Sequence, residues 1–573
     1  MSFSRQIKNL FIKPTDSIKT SLLVMERTKK LKTILPAGMV FVVDNYERLL
    51  GILTDGDIRR ALANGASQKT MVSKVMNTNP FLVQGPKSNI EILSIITDKI
   101  KKEGWHKDRL NKIIITDKSG RVLDLVSFYD LWQRSDTRFK RIGVIGLGYV
   151  GLTLALTLAD LGFQVRGFDI NKNVRVSLSK GKPHFFEEGI KQILKDNLEK
   201  NFKAVNNFSI NNNCDIYFIA VGTPLNYKKE PNLDYLKDAS VRIGKVLKNG
   251  DTVILRSTVP IGTTRNFVIP ILEKQSSLQA GKDFFVCFAP ERTIEGKALR
   301  ELRALPQVIG GLDRASADIA ASIFNHMTHS VVLVDSLEEA EIVKLINNTY
   351  RDVTFAFANE ISLICHKFDI NTHRVIEAAN RGYERGNVPL PSPGVGGACL
   401  EKDPFILLES AKSRKYEPLL IGQAREVSNT MINFVNDQIL EFLKVNNKYL
   451  KRAKILILGL AFKGRPVTSD VRGSTAAVLI KKLQKEIKNI HVYDPVVKKQ
   501  HIYDHKAKSV SDIKKGFEKA DVVLVMNNNP VFEELDIRNL LKFTEKPTLL
   551  FDTWGLYKEE EVKKIKGVLY KRL

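Results

Sequence analysis

One segment constrains this fold more than any other. Ile142-Gly143-Val144-Ile145 is an unbroken apolar run that reads as a buried strand. It passes into Gly146-Leu147-Gly148-Tyr149-Val150-Gly151, and a helical pattern follows to Leu161. The next strand pattern, Gln164 to Phe168, ends on Asp169, eighteen residues after the last of these glycines. Each glycine has its own steric task. Gly146 permits the tight turn, Gly148 lets the backbone approach a pyrophosphate, and Gly151 allows the helix to pack closely on the strand. The helix N-terminus, with Tyr149 and Val150 in its first turn, faces the phosphates. Asp169 is placed for the ribose hydroxyls, and its charge favours NAD over a cofactor with a 2′-phosphate.

At 573 residues the chain is too long for one core, so several domains of roughly 100–200 residues are expected. Strand patterns recur at 215–221, 252–256, 284–288 and 331–334, with helical patterns between most of them. That alternation predicts a parallel sheet covered on both faces. From Leu337 to about Lys367, apolar residues such as Ile342, Leu345, Tyr350, Val353, Phe357 and Ile364 recur at helical spacing and predict one long helix. After Tyr449 a second α/β series begins, with strands at 455–459, 490–494, 522–526 and 548–552. Its first turn lacks the three-glycine pattern and is expected to bind something other than the dinucleotide. The fold class is α/β: two doubly wound, Rossmann-like lobes joined by a long central helix, preceded by an α+β segment. The boundaries fall at 1–136, 137–335 (NAD-binding lobe), 336–448 (central helical domain) and 449–573 (second lobe).

The first segment contains an internal repeat. Val40 to Asp44 leads to Gly51-Ile52-Leu53-Thr54-Asp55-Gly56-Asp57, and Ile113 to Asp117 leads to Asp124-Leu125-Val126-Ser127-Phe128-Tyr129-Asp130. In each copy a strand ends in Asp, and a second strand runs into a hydroxyl residue with an Asp three further on. The segment resembles a pair of cystathionine-β-synthase (CBS) modules. The resemblance implies that Thr54, Asp57, Ser127 and Asp130 hold the ribose and phosphate of an adenine nucleotide. The second copy departs from the pattern at Asp124, where glycine is usual. A structural or dimerising pair without ligand is the other reading.

The net charge of +26 raises the question of nucleic acid. The basic residues are spread along the chain, with no basic arm, zinc-finger pattern or aromatic RNA-binding signature. A basic surface that attracts anionic metabolites or the membrane surface is the better match. No apolar run approaches the ~18–20 residues that span a bilayer. The N-terminus, Met1-Ser2-Phe3-Ser4-Arg5, has no signal-peptide pattern, so a cytoplasmic protein is expected. None of the cysteines (Cys214, Cys287, Cys365, Cys399) forms a CxxC pair, which argues against a metal site and a disulfide framework. The first three lie in apolar runs and read as core. Cys399 follows glycines and precedes charged residues, and reads as a loop thiol.

That thiol sits in Gly394-Val395-Gly396-Gly397-Ala398-Cys399-Leu400-Glu401-Lys402-Asp403-Pro404. A nicotinamide site removes hydride from an alcohol. A thiol can hold the resulting aldehyde as a thiohemiacetal and allow a second hydride to leave, so one site takes an alcohol to a carboxylate. From about residue 140 onward the chain resembles the UDP-glucose/GDP-mannose dehydrogenase family of nucleotide-sugar 6-dehydrogenases. The motifs, in order, are the glycine fingerprint, Val221-Gly222-Thr223-Pro224, Ser257-Thr258-Val259-Pro260, Ala289-Pro290-Glu291-Arg292, the Lys344/Asn348 helix, the Cys399 loop, Gly459-Leu460-Ala461-Phe462-Lys463 and Asp470-Val471-Arg472.

The resemblance implies a role for each. Cys399 traps the aldehyde and later carries a thioester. Lys344 and Asn348, four apart on one helix face, hold the substrate oxygen and stabilise its developing charge. Asp403 positions or activates the water that cleaves the thioester, and Thr258, Glu291 and Glu295 order that water. Glu295 also contacts substrate, and Lys463 meets its diphosphate. Thr223, Pro224 and Thr258 line the cofactor site. Arg472 reaches the cofactor from the second lobe, although it stands further from Lys463 than in the UDP-glucose branch. Lys402 reads as an ordinary surface lysine. The resemblance also implies a homodimer or larger homo-oligomer, built through the central helix.

The tracts 291–296, 379–387 and 391–397 resemble the branch acting on UDP-N-acetylhexosamines, which points to UDP-N-acetylmannosamine or UDP-N-acetylglucosamine. The product would be a uronic acid donor for a surface polysaccharide. Ala398 to Asp403 departs from that branch, and its Lys-Asp ending keeps UDP-glucose as the alternative. Two other classes stand further off. A two-electron hydroxyacid dehydrogenase of the 6-phosphogluconate type needs no cysteine. A non-catalytic nucleotide sensor would not need Cys399, Lys344, Asn348 and Asp403 together.

Overall fold

The computed structural model describes residues 7–30, 38–85, 113–126, 140–207 and 214–573. The N-terminal segment holds two small sheets built alike. The first has the order β1 (Phe11–Ile12), β2 (Met39–Val43), β3 (Leu49–Thr54); the second has β4 (Leu82–Gln84), β5 (Ile113–Thr116), β6 (Val122–Val126). In each, the first pair is parallel and the second antiparallel. The register slips near the end of the middle strand in both, at Val42/Val43 and at Ile115/Thr116. The repeat in sequence is thus a repeat in structure. The halves share one core, in which Ile114 and Leu125 join Phe41, Val42 and Ile58. Thr54 caps the helix that follows β3. Its hydroxyl accepts the Asp57 amide at 3.2 Å, while the Asp57 carboxylate accepts the Thr54 amide at 2.9 Å. Ser127 and Asp130 lie outside the described residues.

The first lobe carries β7 (Arg141–Ile145), β8 (Gln164–Phe168), β9 (Phe202–Ala204), β10 (Ile216–Ile219), β11 (Thr252–Leu255), β12 (Phe285–Phe288), β13 (Gln307–Gly311) and β14 (Val331–Val334). They form one sheet in the order β14-β13-β12-β11-β10-β7-β8-β9. Strands β10, β11 and β12 are buried along their whole length. A sheet covered on both faces demands that, and it is why they read as unbroken apolar runs. The sheet is parallel except between β12 and β13, a reversal the sequence pattern does not announce. On β13, a Cβ at Gly310 would lie 2.1 Å from the Ser336 carbonyl oxygen. The missing side chain lets the start of the central helix settle onto the strand.

The second lobe is a parallel sheet of β15 (Lys454–Leu458), β16 (Asn489–Tyr493), β17 (Lys508–Ser509), β18 (Val522–Val525), β19 (Thr548–Asp552) and β20 (Val568–Arg572), in the order β17-β16-β15-β18-β19-β20. In both lobes the first strand is central and the order reverses beside it. That reversal opens a crevice at the strand C-termini.

The central helix runs Leu337–Lys367 without a break, 31 residues and about 46 Å. Ser336 caps it by accepting the Glu339 amide at 3.1 Å. Leu337 and Ala340 join the first lobe's core and Leu363 packs on the second's, so the helix is rooted in both. Its inner face buries Glu341, Lys344, Asn348, Asp352 and Asn359, while Ile346, Tyr350, Phe357 and Ile364 lie exposed on the outer side. Among the described residues no helix is long and apolar enough to cross a membrane.

Candidate active site

The fingerprint is built as its chemistry requires. Gly146 has φ of +89°, and a Cβ there would meet the Ala220 carbonyl oxygen at 2.6 Å. A Cβ on Gly151 would lie 1.7 Å from the Gly146 carbonyl oxygen, whereas Gly148 faces open space. The outer glycines answer to packing. The middle one leaves room in front of the helix Tyr149–Asp160, where a pyrophosphate would sit. Asp169, at the end of β8, accepts the Leu147 amide at 2.9 Å and the Asn171 amide at 2.8 Å, which fixes its carboxylate at the crevice. The buried Thr223 donates to the Thr258 carbonyl at 2.6 Å and ties together the loops after β10 and β11, with Pro224 exposed beside it. This cradle fits NAD. The Tyr149 phenol donates to Glu187 and accepts the Gly296 amide at 2.7 Å, which joins the fingerprint helix to the 291–296 loop.

Cys399 lies in the turn ahead of the helix Asp403–Lys412. Glycines press its loop onto the second lobe. The Gly397 amide donates to the Gly473 carbonyl at 3.0 Å. A Cβ on Gly396 would meet that carbonyl at 2.3 Å, and one on Gly397 would strike the Phe462 ring at 2.6 Å. Cys399 opens to solvent, whereas Cys214, Cys287 and Cys365 are buried. Protein nonetheless crowds the Cys399 sulfur on its remaining sides. That desolvation pushes the thiol pKa up; the Lys344 cation opposes it, Asp403 reinforces it and Lys402 opposes it.

Lys344 and Asn348 are both buried, one turn apart on the central helix. The Asn348 amide donates to an Asp403 oxygen at 2.5 Å, and Asp403 is fully buried at the start of its helix. Lys402 corrects the sequence reading. It is no surface lysine, because its ammonium donates to the Thr223 hydroxyl at 3.0 Å and lies 3.4 Å from the other Asp403 oxygen. It therefore bridges the thiol's loop to the first lobe. Its only signal in the sequence is its place beside Asp403.

From the second lobe, the Lys463 ammonium donates to the Glu295 carbonyl at 2.8 Å. Arg472 lies 2.6 Å from Asp470 and 3.5 Å from the Glu295 carboxylate. Burial pushes Glu295 up to about 7, with Asp470 adding to the effect and Arg472 and Lys463 opposing it. Burial also draws Lys463 down to about 8 against the pull of Glu295. Cys399, Lys344, Asn348, Asp403, Glu295, Lys463 and Arg472 thus gather where the central helix and the two lobes meet. Glu291 is engaged differently. One of its oxygens takes Arg256 at 2.6 Å and the other the Thr293 amide at 2.7 Å. Burial raises its pKa, but the Arg256 charge and the hydrogen bonds from Thr293 and Arg256 together outweigh that and hold the carboxyl low. Its carboxylate braces the loop that carries Glu295.

The sequence matches the NAD binding domain of the UDP-glucose/GDP-mannose dehydrogenase family over residues 140–328, the central domain over 338–430 and the UDP binding domain over 456–559. Residues 5–64 match a CBS domain. The chain is 33% identical over 423 residues to a UDP-N-acetyl-D-mannosamine dehydrogenase of Pyrococcus horikoshii, covering 74% of this chain and 97% of that one. It is 35% identical over 417 residues to a UDP-N-acetyl-D-mannosamine dehydrogenase of Campylobacter jejuni, covering 71% and 99%. The solved structure of the UDP-D-ManNAc dehydrogenase from Pyrococcus horikoshii superposes with a TM-score of 0.68 at 32% identity, over 75% of this chain and 98% of that one. Three consecutive domain matches, on lobes already described by their own geometry, leave one assignment: this chain belongs to the UDP-glucose/GDP-mannose dehydrogenase family of NAD-dependent nucleotide-sugar dehydrogenases, with a CBS domain ahead of the enzyme.

Proposed function

We propose that the enzyme oxidises the 6-hydroxymethyl group of a UDP-N-acetylhexosamine, UDP-N-acetylmannosamine before UDP-N-acetylglucosamine, to the uronic acid through Cys399. The convergence of Cys399, Lys344, Asn348 and Asp403 at one point carries this reading. NAD, when bound, supplies the hydride acceptor for both oxidations. Lys344 stabilises the oxygen at C6 as negative charge develops on it. The Cys399 thiol adds to the aldehyde carbon, and loss of the second hydride from that carbon leaves a thioester. Asp403, oriented by Asn348, takes a proton from the water that attacks the thioester, and the sulfur leaves. One alcohol and one water thus give one carboxylate, two hydrides and three protons. Lys463 faces the diphosphate, and Glu295 sits between it and Arg472.

The preference for UDP-N-acetylmannosamine rests on the tracts 291–296 and 391–397 and on the names of the relatives. The Lys402–Asp403 pair favours UDP-glucose as the second reading. The test is NADH release against a panel of UDP-sugars, with product masses recorded. Two NADH and an acid from UDP-N-acetylmannosamine support the reading. Two NADH from UDP-glucose alone replace it, and one NADH per sugar removes the thioester. The outer face of the central helix, with Ile346, Tyr350, Phe357 and Ile364 exposed, serves as the contact of a homodimer. The repeated N-terminal sheets act as a CBS pair that holds an adenine nucleotide at Thr54 and Asp57. Calorimetry with AMP, ADP, ATP and NAD tests that.

A further inference from the structure

We infer that Arg425, held by Asp352, is a positioning residue that fixes the backbone beside Cys399; this rests on the role given to Cys399 above. Lys344, Asn348 and Asp352 recur every four residues and therefore stack on one helix face. Each engages the thiol's segment at a different point. The Lys344 charge acts on the sulfur, and the Asn348 amide holds Asp403. Asp352 holds Arg425, which comes from the neighbouring helix Leu419–Val445, at 2.5 Å. The same Arg425 nitrogen donates to the Leu400 carbonyl at 3.2 Å. The Cys399 carbonyl is taken by the Lys402 amide at 3.1 Å and the Asp403 amide at 2.8 Å. The peptide groups on both sides of Leu400 are thus anchored, one by the helix that follows and one by Arg425. Further along the central helix, Asn359 accepts the Ser392 amide at 2.8 Å and holds the upstream end of the same loop.

The form of the ion pair supports this purpose. Arg425 is 5% exposed and Asp352 1%, so both charges have been taken out of water at considerable cost. Arginine–carboxylate pairs frequently close as a two-bond fork. Among the described residues Arg425 Nε and Asp352 Oδ2 have no hydrogen-bond partner, and one guanidinium nitrogen serves both the carboxylate and the Leu400 carbonyl. The guanidinium is turned toward the loop at the expense of its own pairing.

A pair swap separates positioning from stability. Removing one partner leaves an uncompensated buried charge, so Arg425→Met alone is expected to destabilise the fold. Replacing both with apolar groups commonly restores stability. The full-length double variant Asp352→Leu/Arg425→Met is therefore compared with wild type and with Arg425→Lys. Four quantities are read: melting temperature, NAD affinity, kcat for two-NADH turnover, and the rate of iodoacetamide labelling at Cys399, assigned by mass spectrometry. The positioning role predicts a folded double variant with near wild-type NAD affinity. Its kcat falls about tenfold to a hundredfold, as a displacement near 1 Å costs. Labelling slows and shifts to higher pH as the sulfur loses its register with Lys344, and Arg425→Lys lies between. Wild-type kcat and labelling in the double variant overturn the inference, as does a loss of kcat no larger than the loss of folded protein. Labelling reports where Cys399 sits whether or not it carries the chemistry. If Cys399→Ala turns over normally, the proposed mechanism fails, while the labelling comparison still decides the placement.

Discussion

Asn348 donates its side-chain amide to Asp403 at 2.5 Å, across 55 residues of sequence. The bond selects which Asp403 oxygen faces the central helix and leaves the other, close to Lys402, without a hydrogen bond among the described residues. In the proposed reaction that oxygen, paired with the Lys402 charge, takes the proton from the water. Asp403→Asn is expected to slow acid release by about 10²–10⁴-fold, the usual worth of a general base. The thioester should then accumulate on Cys399 and appear in the intact mass. An unmodified mass during slow turnover counts against the assignment.

Cys399→Ala should abolish acid formation and leave NAD binding nearly intact, because the fingerprint and Asp169 lie on another lobe. Equilibrium titration with NAD, beside product analysis, separates the two effects. A normal yield of acid ends the covalent mechanism.

The pH profile follows from two groups with opposite displacements. Glu295, raised to about 7, is ionised only above that pH, and Lys463, lowered to about 8, is charged only below its own. If ionised Glu295 and charged Lys463 are the working forms, kcat/KM rises through about 7 and falls through about 8, since this ratio reports the free enzyme. Glu295→Gln should remove the acid limb. Lys463→Arg should flatten the alkaline limb, because a guanidinium stays charged. A profile level from pH 6 to 9 contradicts both assignments.

Two glycines make opposite predictions. Gly397 has φ of +100° and stands against the Phe462 ring, so Gly397→Ala should cost about 1–3 kcal/mol and displace the thiol. Gly148 faces open space, so Gly148→Ala should leave the unfolding midpoint unchanged while weakening NAD binding. Urea titration and NAD affinity, measured on both variants, test the pair.

What is legible in the sequence is what local periodicity carries. The fingerprint, the unbroken helix from Leu337 to Lys367 and the second α/β series each announce themselves within a few turns of chain. Strand β13 does not, because Gly310 answers to the Ser336 backbone and Gly311 to Asp313 and Ala317 rather than to strand propensity. Lys402 and Arg425 are silent for a related reason. Their partners, Thr223 and Asp352, lie 179 and 73 residues away. Glu291 stands in a recognisable motif, yet what its carboxylate does depends on Arg256, which no spacing rule connects to it.

The central helix has chemistry on one side and bare apolar surface on the other. Lys344 is two residues from Ile346, and Asn348 two from Tyr350. An α-helix moves as a solid rod, so whatever leans on Tyr350 moves Asn348 as well. If a second copy occupies that face, as proposed above, turnover per molecule becomes a function of how many molecules share the solution. Dilution then acts as an inhibitor that touches no substrate.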